Sequence, residues 1–401
     1  MFIHSKNFRG LFWTQTFGAF VDNFYKSFLM VWIVYHLPES QEHNSKLLIT
    51  ISSALFIIPF FLFSSIAGEL AAKYEKTTLI RLTKWWELGL VILAIVSFRF
   101  ESLYWMMAIL FLLGTQSAFF GPMKYSILPQ IIDKNLLLKA NGWVEMGTFI
   151  AILVGTLLGS LVLSIQHEFY YFEVFILIAT LSGLFLSYQI PSTTCENPNQ
   201  TIHPNFIGRT FHQMQELTKD KSMFWIIQMI SWFWFLGIVI LTLIPIISKD
   251  YLHQGEKTVS HLLTSMSLMI GIGSVACHSI SKKITPIKIS VYSAFFVTFF
   301  IFTLAWSNTV TSFLIHLSLF SFFCGLYAVP LYTYLQKEQS IFLKSHLIAM
   351  LNIFNSLWMV LASILLTYLL QKVSLGTIFI LLGSTSFIQS IFFYFKHKSL
   401  D

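Results

Sequence analysis

Apolar residues run along this chain in blocks separated by short polar links. About 20 consecutive apolar residues, rising 1.5 Å each in a helix, cross the hydrocarbon core of a bilayer. The blocks predict helices near 8–35, 47–72, 77–98, 102–129, 137–164, 169–190, 222–247, 258–281, 286–307, 309–336, 343–371 and 375–395. One polar stretch is longer than the rest. It spans 191–221 and contains Ser192-Thr193-Thr194-Cys195-Glu196-Asn197-Pro198-Asn199. The expected organisation is therefore an N-terminal six-helix half (1–190), a linker (191–221) and a C-terminal six-helix half (222–401). The fold class is an all-α membrane protein with twelve transmembrane helices in two six-helix halves.

The basic residues support that count. On this topology eighteen of the 25 Lys and Arg fall on one side, in clusters such as Lys73 and Lys76, Arg81 and Lys84, and Lys282 and Lys283. Only Lys46, Arg99, Lys249, Lys257 and Lys372 fall on the other, and Lys26 and Lys124 remain within spans. Positive charge marks the cytoplasmic side, so both termini and the linker are expected there. The halves also echo each other. Leu110-Phe111 leading to Gly121-Pro122-Met123-Lys124-Tyr125 parallels Leu319-Phe320 leading to Val329-Pro330-Leu331-Tyr332-Thr333, an offset of 208 positions between the two prolines. Two six-helix halves repeated in parallel are a transporter plan.

Composition narrows the class. The 401 residues are 56% hydrophobic and 11% charged, with 42 Phe. Soluble domains carry about 25% charged residues. The net charge of +7 therefore describes membrane orientation and predicts no nucleic-acid partner. Cys195, Cys277 and Cys324 are scattered, with no metal-ligand spacing, so neither a metal site nor a cofactor is expected. No phosphate-binding glycine loop of the ATPase type occurs, and no HxxxxD acyltransferase pattern.

Charge inside a span is costly and marks function by default. The candidates lie in the first half. Asp22 and Lys26 are four residues apart, on one helical face, with Asn23 beside them. They form either a self-neutralising pair that lets the helix insert or a polar face on a cavity. Lys124 and Tyr125 follow Gly121 and Pro122, a proline that bends its helix. Asn141 and Glu145 open the next span. Glu87 is expected to pair with Lys84 at the membrane interface. Ala151, Gly155 and Gly159 recur every four residues, a smooth stripe for close helix packing. At the 208 offset Lys26 meets Trp234 and Lys124 meets Tyr332, within a helix reading Trp232-Phe233-Trp234-Phe235. A polar wall opposed to an aromatic one suits an amphiphile.

Several stretches resemble the bacterial lysophospholipid transporter family of the major facilitator superfamily. They are Phe20-Val21-Asp22-Asn23, Gly121-Pro122-Met123-Lys124-Tyr125-Ser126-Ile127-Leu128, Lys139-Ala140-Asn141-Gly142-Trp143-Val144-Glu145, Ile152-Leu153-Val154-Gly155-Thr156 and Val329-Pro330-Leu331. The resemblance implies a carrier of lysophosphatidylethanolamine and lysophosphatidylglycerol. It would move them to the cytoplasmic leaflet of the inner membrane by alternating access, where a separate acyltransferase re-acylates them. It implies a substrate site at Asp22, Asn23, Lys26, Lys124, Tyr125, Asn141 and Glu145, and hinges at Gly121, Pro122 and Pro330. The chain departs from the pattern in lacking a basic residue within the seventh span and in carrying Lys26. The run from Gly68 to Lys76 resembles the major facilitator loop signature, with Ala72 where an acid is usual. The alternatives are a proton-coupled exporter of drugs or small metabolites, with Asp22 or Glu145 carrying the proton, and a membrane scaffold that transports nothing.

Overall fold

The computed structural model describes residues 5–36, 42–163, 165, 168–337 and 340–396. Lys398 lies outside the described residues, as does the side chain of Lys46. Twelve long helices form along the described chain. They are α1 (Lys6–His36), α2 (Glu42–Lys73), α3 (Lys76–Arg99), α4 (Leu103–Ser126), α5 (Leu137–Val162), α6 (Glu168–Ser187), α7 (Lys221–Ile246), α8 (Glu256–Ile280), α9 (Pro286–Leu304), α10 (Val310–Lys337), α11 (Lys344–Leu370) and α12 (Leu375–Lys396). Each coincides with a predicted span. Helices satisfy their own backbone groups, which hydrocarbon cannot. Ten of the twelve are long and apolar enough to cross a membrane. The two less apolar ones, α1 and α3, carry Asp22 and Lys26, and Arg81, Lys84 and Glu87 respectively.

Two details differ from expectation. The fourth span stops at Ser126, where the Ser126 hydroxyl donates to the Pro122 carbonyl. A separate turn, Leu128–Ile131, then carries Pro129. The linker is not all loop. Phe206–Leu217 forms a twelve-residue helix whose Asn205 side chain accepts the Gly208 amide at 2.9 Å. That is an N-cap bond.

The contacts divide the chain into two compact units. Unit 1 comprises residues 1–133, 151–219 and 340–356, and unit 2 comprises 134–150, 220–339 and 357–401. These cuts differ from the sequence halves. The linker belongs to unit 1, and α5 and α11 each contribute to both units. Inside unit 1, α4 packs on α1, α2 and α3, and α6 packs on α3. Inside unit 2, α10 packs on α7, α8 and α9, and α12 packs on α9. Adding six to each helix of the first set gives the second, so the two units repeat one packing scheme.

Unit 1 is built on aromatic rings. Phe28 and Phe172 centroids lie 4.4 Å apart, and Phe98 meets both edge-on at 4.9 and 4.8 Å. Tyr25 is fully buried against them and donates its hydroxyl to the Met106 carbonyl at 2.8 Å. The expected small-residue stripe on α5 seats against α1. A Cβ on Gly155 would lie 2.8 Å from the Phe20 carbonyl oxygen, and one on Gly159 would meet the Phe24 carbonyl as closely. In unit 2 the same logic joins α8 to α10, where Gly273 faces the Phe322 carbonyl and Gly325 the Ile270 carbonyl. By contrast Gly237 faces open space.

The linker lies along the α2–α3 turn. The Pro191 carbonyl accepts the Thr77 hydroxyl at 2.7 Å, and the Thr193 amide donates to Glu75 at 3.0 Å. The Thr78 hydroxyl, at 2.7 Å, and then the Thr193 amide hold the Glu75 carboxyl below its ordinary value of 4.5. Further along, buried Glu69 binds the Arg209 guanidinium at 2.8 Å and both the amide and ring of His203.

Two expectations follow. Gly155→Val should lower thermal stability, since overpacking costs about 1–3 kcal/mol, while Gly237→Ala should leave it unchanged; a melting curve in detergent reads both. Because the folded Glu75 is the better acid, its support for the docked linker is present above pH 4.5 and lost as pH falls below it. Hydrogen exchange of residues 191–197 should accelerate in that range, and Glu75→Gln should remove the step.

Candidate functional site

Unit 1 holds a network of charged and polar side chains in its middle. The Lys84 ammonium contacts the Glu87 carboxylate at 2.5 Å, one helical turn along α3. Both side chains are only 1% exposed. The Gln116 amide donates to the same Glu87 oxygen at 3.3 Å and to the Thr83 carbonyl at 3.2 Å. Ser117, next on α4, donates to the Asp22 carboxylate. Its oxygen also lies 3.3 Å from the Gln116 side-chain oxygen. A chain of contacts thus runs from α3 through α4 to α1. The remaining carboxylate oxygens, Asp22 Oδ1 and Glu87 Oε1, are buried without a hydrogen-bond partner among the described residues.

The sequence permits this arrangement at Gly18. A Cβ there would collide with the Lys84 ammonium, so the glycine makes room for the lysine against α1. The Phe120 ring covers the ammonium at 5.1 Å, a cation–π contact. Pairing of Glu87 with Lys84 was expected. Its place was not: the pair is buried in the bundle rather than at the interface, and Lys84 is no surface charge.

Asp22 and Lys26 do not neutralise one another as a salt bridge. Asp22 turns to Ser117, whereas the Lys26 ammonium lies 5.5 Å from the Phe56 ring centre. Lys26 is half-buried and forms no salt bridge among the described residues. Asn23 donates to the Ala19 carbonyl, a bond within its own helix. Lys124 is half-buried with its ammonium 4.8 Å from the ring centre of buried Tyr125. Gly121 lies where α11 comes close, and a Cβ there would press on the Asn352 amide. Pro122 is buried in the last turn of α4.

In unit 2, Asn141 is fully buried and joins α5 to α10. Its amide donates to Gln336 at 2.7 Å and to Thr333 at 3.1 Å, and Gln336 donates back at 3.0 Å. Glu145 is buried one turn further along. Pro330 is buried inside α10. The seventh span's aromatics pack closely. The Trp234 indole donates to the Tyr332 hydroxyl at 2.9 Å and stacks on Phe149, while Trp232 stacks on Phe235. Trp234 and Tyr332 are the repeat equivalents of Lys26 and Lys124. One helix pair therefore carries two cations in unit 1 and a bonded Trp–Tyr pair in unit 2.

Gln116 and Ser117 escaped the sequence reading. Their signal was the polar run Thr115-Gln116-Ser117 in the middle of an apolar span.

The family model of the Major Facilitator Superfamily matches residues 13–340. The chain belongs to that superfamily. Among curated relatives, macrolide efflux protein A of Streptococcus pyogenes is 24% identical over 66% of this chain and 65% of its own length. The lysophospholipid transporter LplT of Yersinia pestis is 25% identical over 57% of this chain and 56% of its own. The match thus spans less than two thirds of either relative. Among solved structures, the human organic anion transporter MFSD10 superposes with a TM-score of 0.81 at 11% identity, covering 96% of this chain and 99% of that one. The fucose:proton symporter FucP of E. coli superposes at 0.74, also at 11% identity, covering 96% and 97%. These likenesses establish the fold. The major facilitator chain described here is a multi-pass membrane transporter and not an enzyme.

Removing one partner of a buried ion pair costs about 3–5 kcal/mol, because the other charge stays buried. Glu87→Ala should therefore destabilise the protein strongly, and Glu87→Leu combined with Lys84→Met should recover most of the loss. Melting curves of the single and double variants check this.

Proposed function

We propose that this major facilitator transporter moves lysophospholipids to the cytoplasmic leaflet of the bacterial inner membrane for re-acylation by a separate acyltransferase. The observation that carries the reading is Lys26, a cation in the middle of a span with an aromatic face for company and no salt bridge among the described residues. A cation within a span is stabilised by an anion in direct contact. Lys124 stands at the position the repeat pairs with it, so one phosphate answers two like charges. Lysine acts as a point charge towards phosphate. Asp22 and Glu145 contact an ethanolamine ammonium or balance the lysines, with Asn23 and Tyr125 beside them. Asn141 holds α5 to α10, and Gly121, Pro122 and Pro330 are the flexing positions. Aromatic side chains such as those of α7 suit an acyl chain. The clusters of Lys and Arg support cytoplasmic termini.

A second reading is favoured by the match to macrolide efflux protein A: a proton-coupled exporter of drugs or small metabolites. A cationic drug needs a carboxylate rather than an ammonium, so the two readings part at Lys26.

Reconstituted into liposomes, the protein should move fluorescent lysophosphatidylethanolamine, read by back-extraction into albumin. A charge-assisted bond is worth about 1.5–3 kcal/mol, so Lys26→Gln and Lys124→Gln should each slow this at least about tenfold without lowering melting temperature. Wild-type rates in Lys26→Gln, or movement of a macrolide instead of the lysolipid, would overturn the assignment.

A further inference from the structure

Charge is lopsided in the later part of the chain. Residues 257–400 contain nine lysines and a single acid, Glu338. Lys282 and Lys283 are exposed in the turn between α8 and α9, and Lys288 is half-buried in the first turn of α9. Lys396 ends α12 with its ammonium 5.9 Å from the Phe392 ring centre. The two helices pack together, the early part of α9 beside the late part of α12. Phe295 and Tyr394 have ring centres 6.3 Å apart, and the Thr298 and Ser390 hydroxyls lie 3.2 Å apart. One end of unit 2 therefore carries these four cations.

From that end α9 turns an aromatic face outward. Lys288, Tyr292, Phe296 and Phe299 follow at steps of four, four and three, which places them on one side of the helix. Tyr292 and Phe296 are about half exposed, Phe299 more so, and Tyr394 is exposed on α12. A groove of about 400 Å³ lies between the two helices, lined by Tyr292, Phe295, Phe296 and Tyr394. It is backed from inside, where Phe296 stacks on Phe323 of α10 at 4.3 Å. Apolar side chains exposed along a span meet hydrocarbon, so an acyl chain is the natural filling.

Polarity is graded along this face. An ammonium comes first, then the phenol rings of Tyr292 and Tyr394, then phenylalanine only. Tyrosine suits the boundary between water and hydrocarbon. A diacyl phospholipid has the same order: phosphate, glycerol esters, hydrocarbon. The sign of the charge selects the head group. Lysines clustered beside a span attract anionic lipid, and residues 257–337 contain no acid to compete. A zwitterionic head brings its own ammonium, which like charges repel.

We propose that the α9–α12 face of unit 2 holds an anionic diacyl phospholipid as a resident lipid. Its phosphate sits at Lys282, Lys283 and Lys288, and one acyl chain lies in the aromatic groove. This lipid stays with the transporter and is not its cargo, so the assignment stands apart from the choice of transported substrate.

Phosphatidylglycerol with a diazirine on one acyl chain tests this in phosphatidylcholine vesicles containing the protein. Illumination, digestion and mass spectrometry should place adducts within residues 292–299 and at Tyr394. Phosphatidylcholine bearing the same diazirine should give at least about tenfold fewer there. That comparison needs no variant. Changing Lys282, Lys283 and Lys288 together to Gln should cut the phosphatidylglycerol adducts at least about tenfold, with an unchanged melting temperature in detergent. The same three changes to Arg should keep them, because charge alone is required. Lys372→Gln, in the turn at the other end of α12, should leave them intact. Excess lysophosphatidylethanolamine should not displace the label. Equal labelling by phosphatidylcholine would make the groove an ordinary lipid contact and overturn the proposal. Undiminished labelling in the triple Gln variant, displacement by the lysolipid, or cross-links between two copies of the chain across this face would each do the same.

Discussion

An ammonium group in the middle of a membrane bundle sets the terms for unit 1. Lys84 is almost wholly buried, and Glu87 lies against it. The other features of the region follow. Gly18 has no side chain because the ammonium takes its space. Gln116 is polar because the Glu87 oxygen needs a further donor. Ser117 carries the same polarity to Asp22 on α1. A buried pair of this kind adds little net stability over apolar residues of equal size. Its retention points to the electrostatic state of α1, where Asp22 and Lys26 sit.

The two units spend the same scaffold differently. Helix pairs repeat with an offset of six, yet unit 1 fills its central positions with Asp22, Lys26, Glu87 and Lys124, and unit 2 fills the equivalents of Lys26 and Lys124 with Trp234 and Tyr332. The Trp–Tyr bond satisfies its own polar atoms, so it is stable in an apolar setting without a ligand. Lys26 forms no salt bridge among the described residues, and Asp22 one turn away attracts it only at longer range. At these two equivalent positions, unit 1 therefore carries charge where unit 2 carries a neutral aromatic pair.

Much of the architecture was legible in the chain. Hydrocarbon forces every span into a helix and so removes the usual ambiguity between helix and strand. The glycine stripe on α5 was readable for a similar reason, since only close backbone approach uses glycine at that spacing. The linker helix was not readable, being short and rich in Arg209, His212, Gln213 and Glu216, with apolar residues on one side only. The site was half legible. In-span charges stood out individually, but their partners depend on which helices are neighbours. Asp22 and Lys26 are close in sequence and on one face, yet tertiary contacts send one to Ser117 and the other over Phe56. The depth of Lys84 was misread because it sits near a cluster of loop lysines.

Two helices do not respect the sequence halves. The first part of α5 belongs to unit 2 and the first part of α11 to unit 1. Each is seated through a glycine at the contact, Gly142 of α5 against the Ser274 carbonyl and Gly68 of α2 against Ala349 of α11. Both seats are then pinned by buried polar bonds, Asn141 with Gln336 and Ser345 with Glu196. The likeness ends at the chemistry of the pins. Asn141 and Gln336 are neutral amides that exchange two bonds, so they hold with little regard to pH or to nearby charge. Glu196 is a carboxylate that must satisfy buried Lys76 and a helix start at once, and it is carried on a linker rather than on a span. The two seats therefore differ in charge, one pinned by neutral amides and the other by a carboxylate that lies outside the long helices.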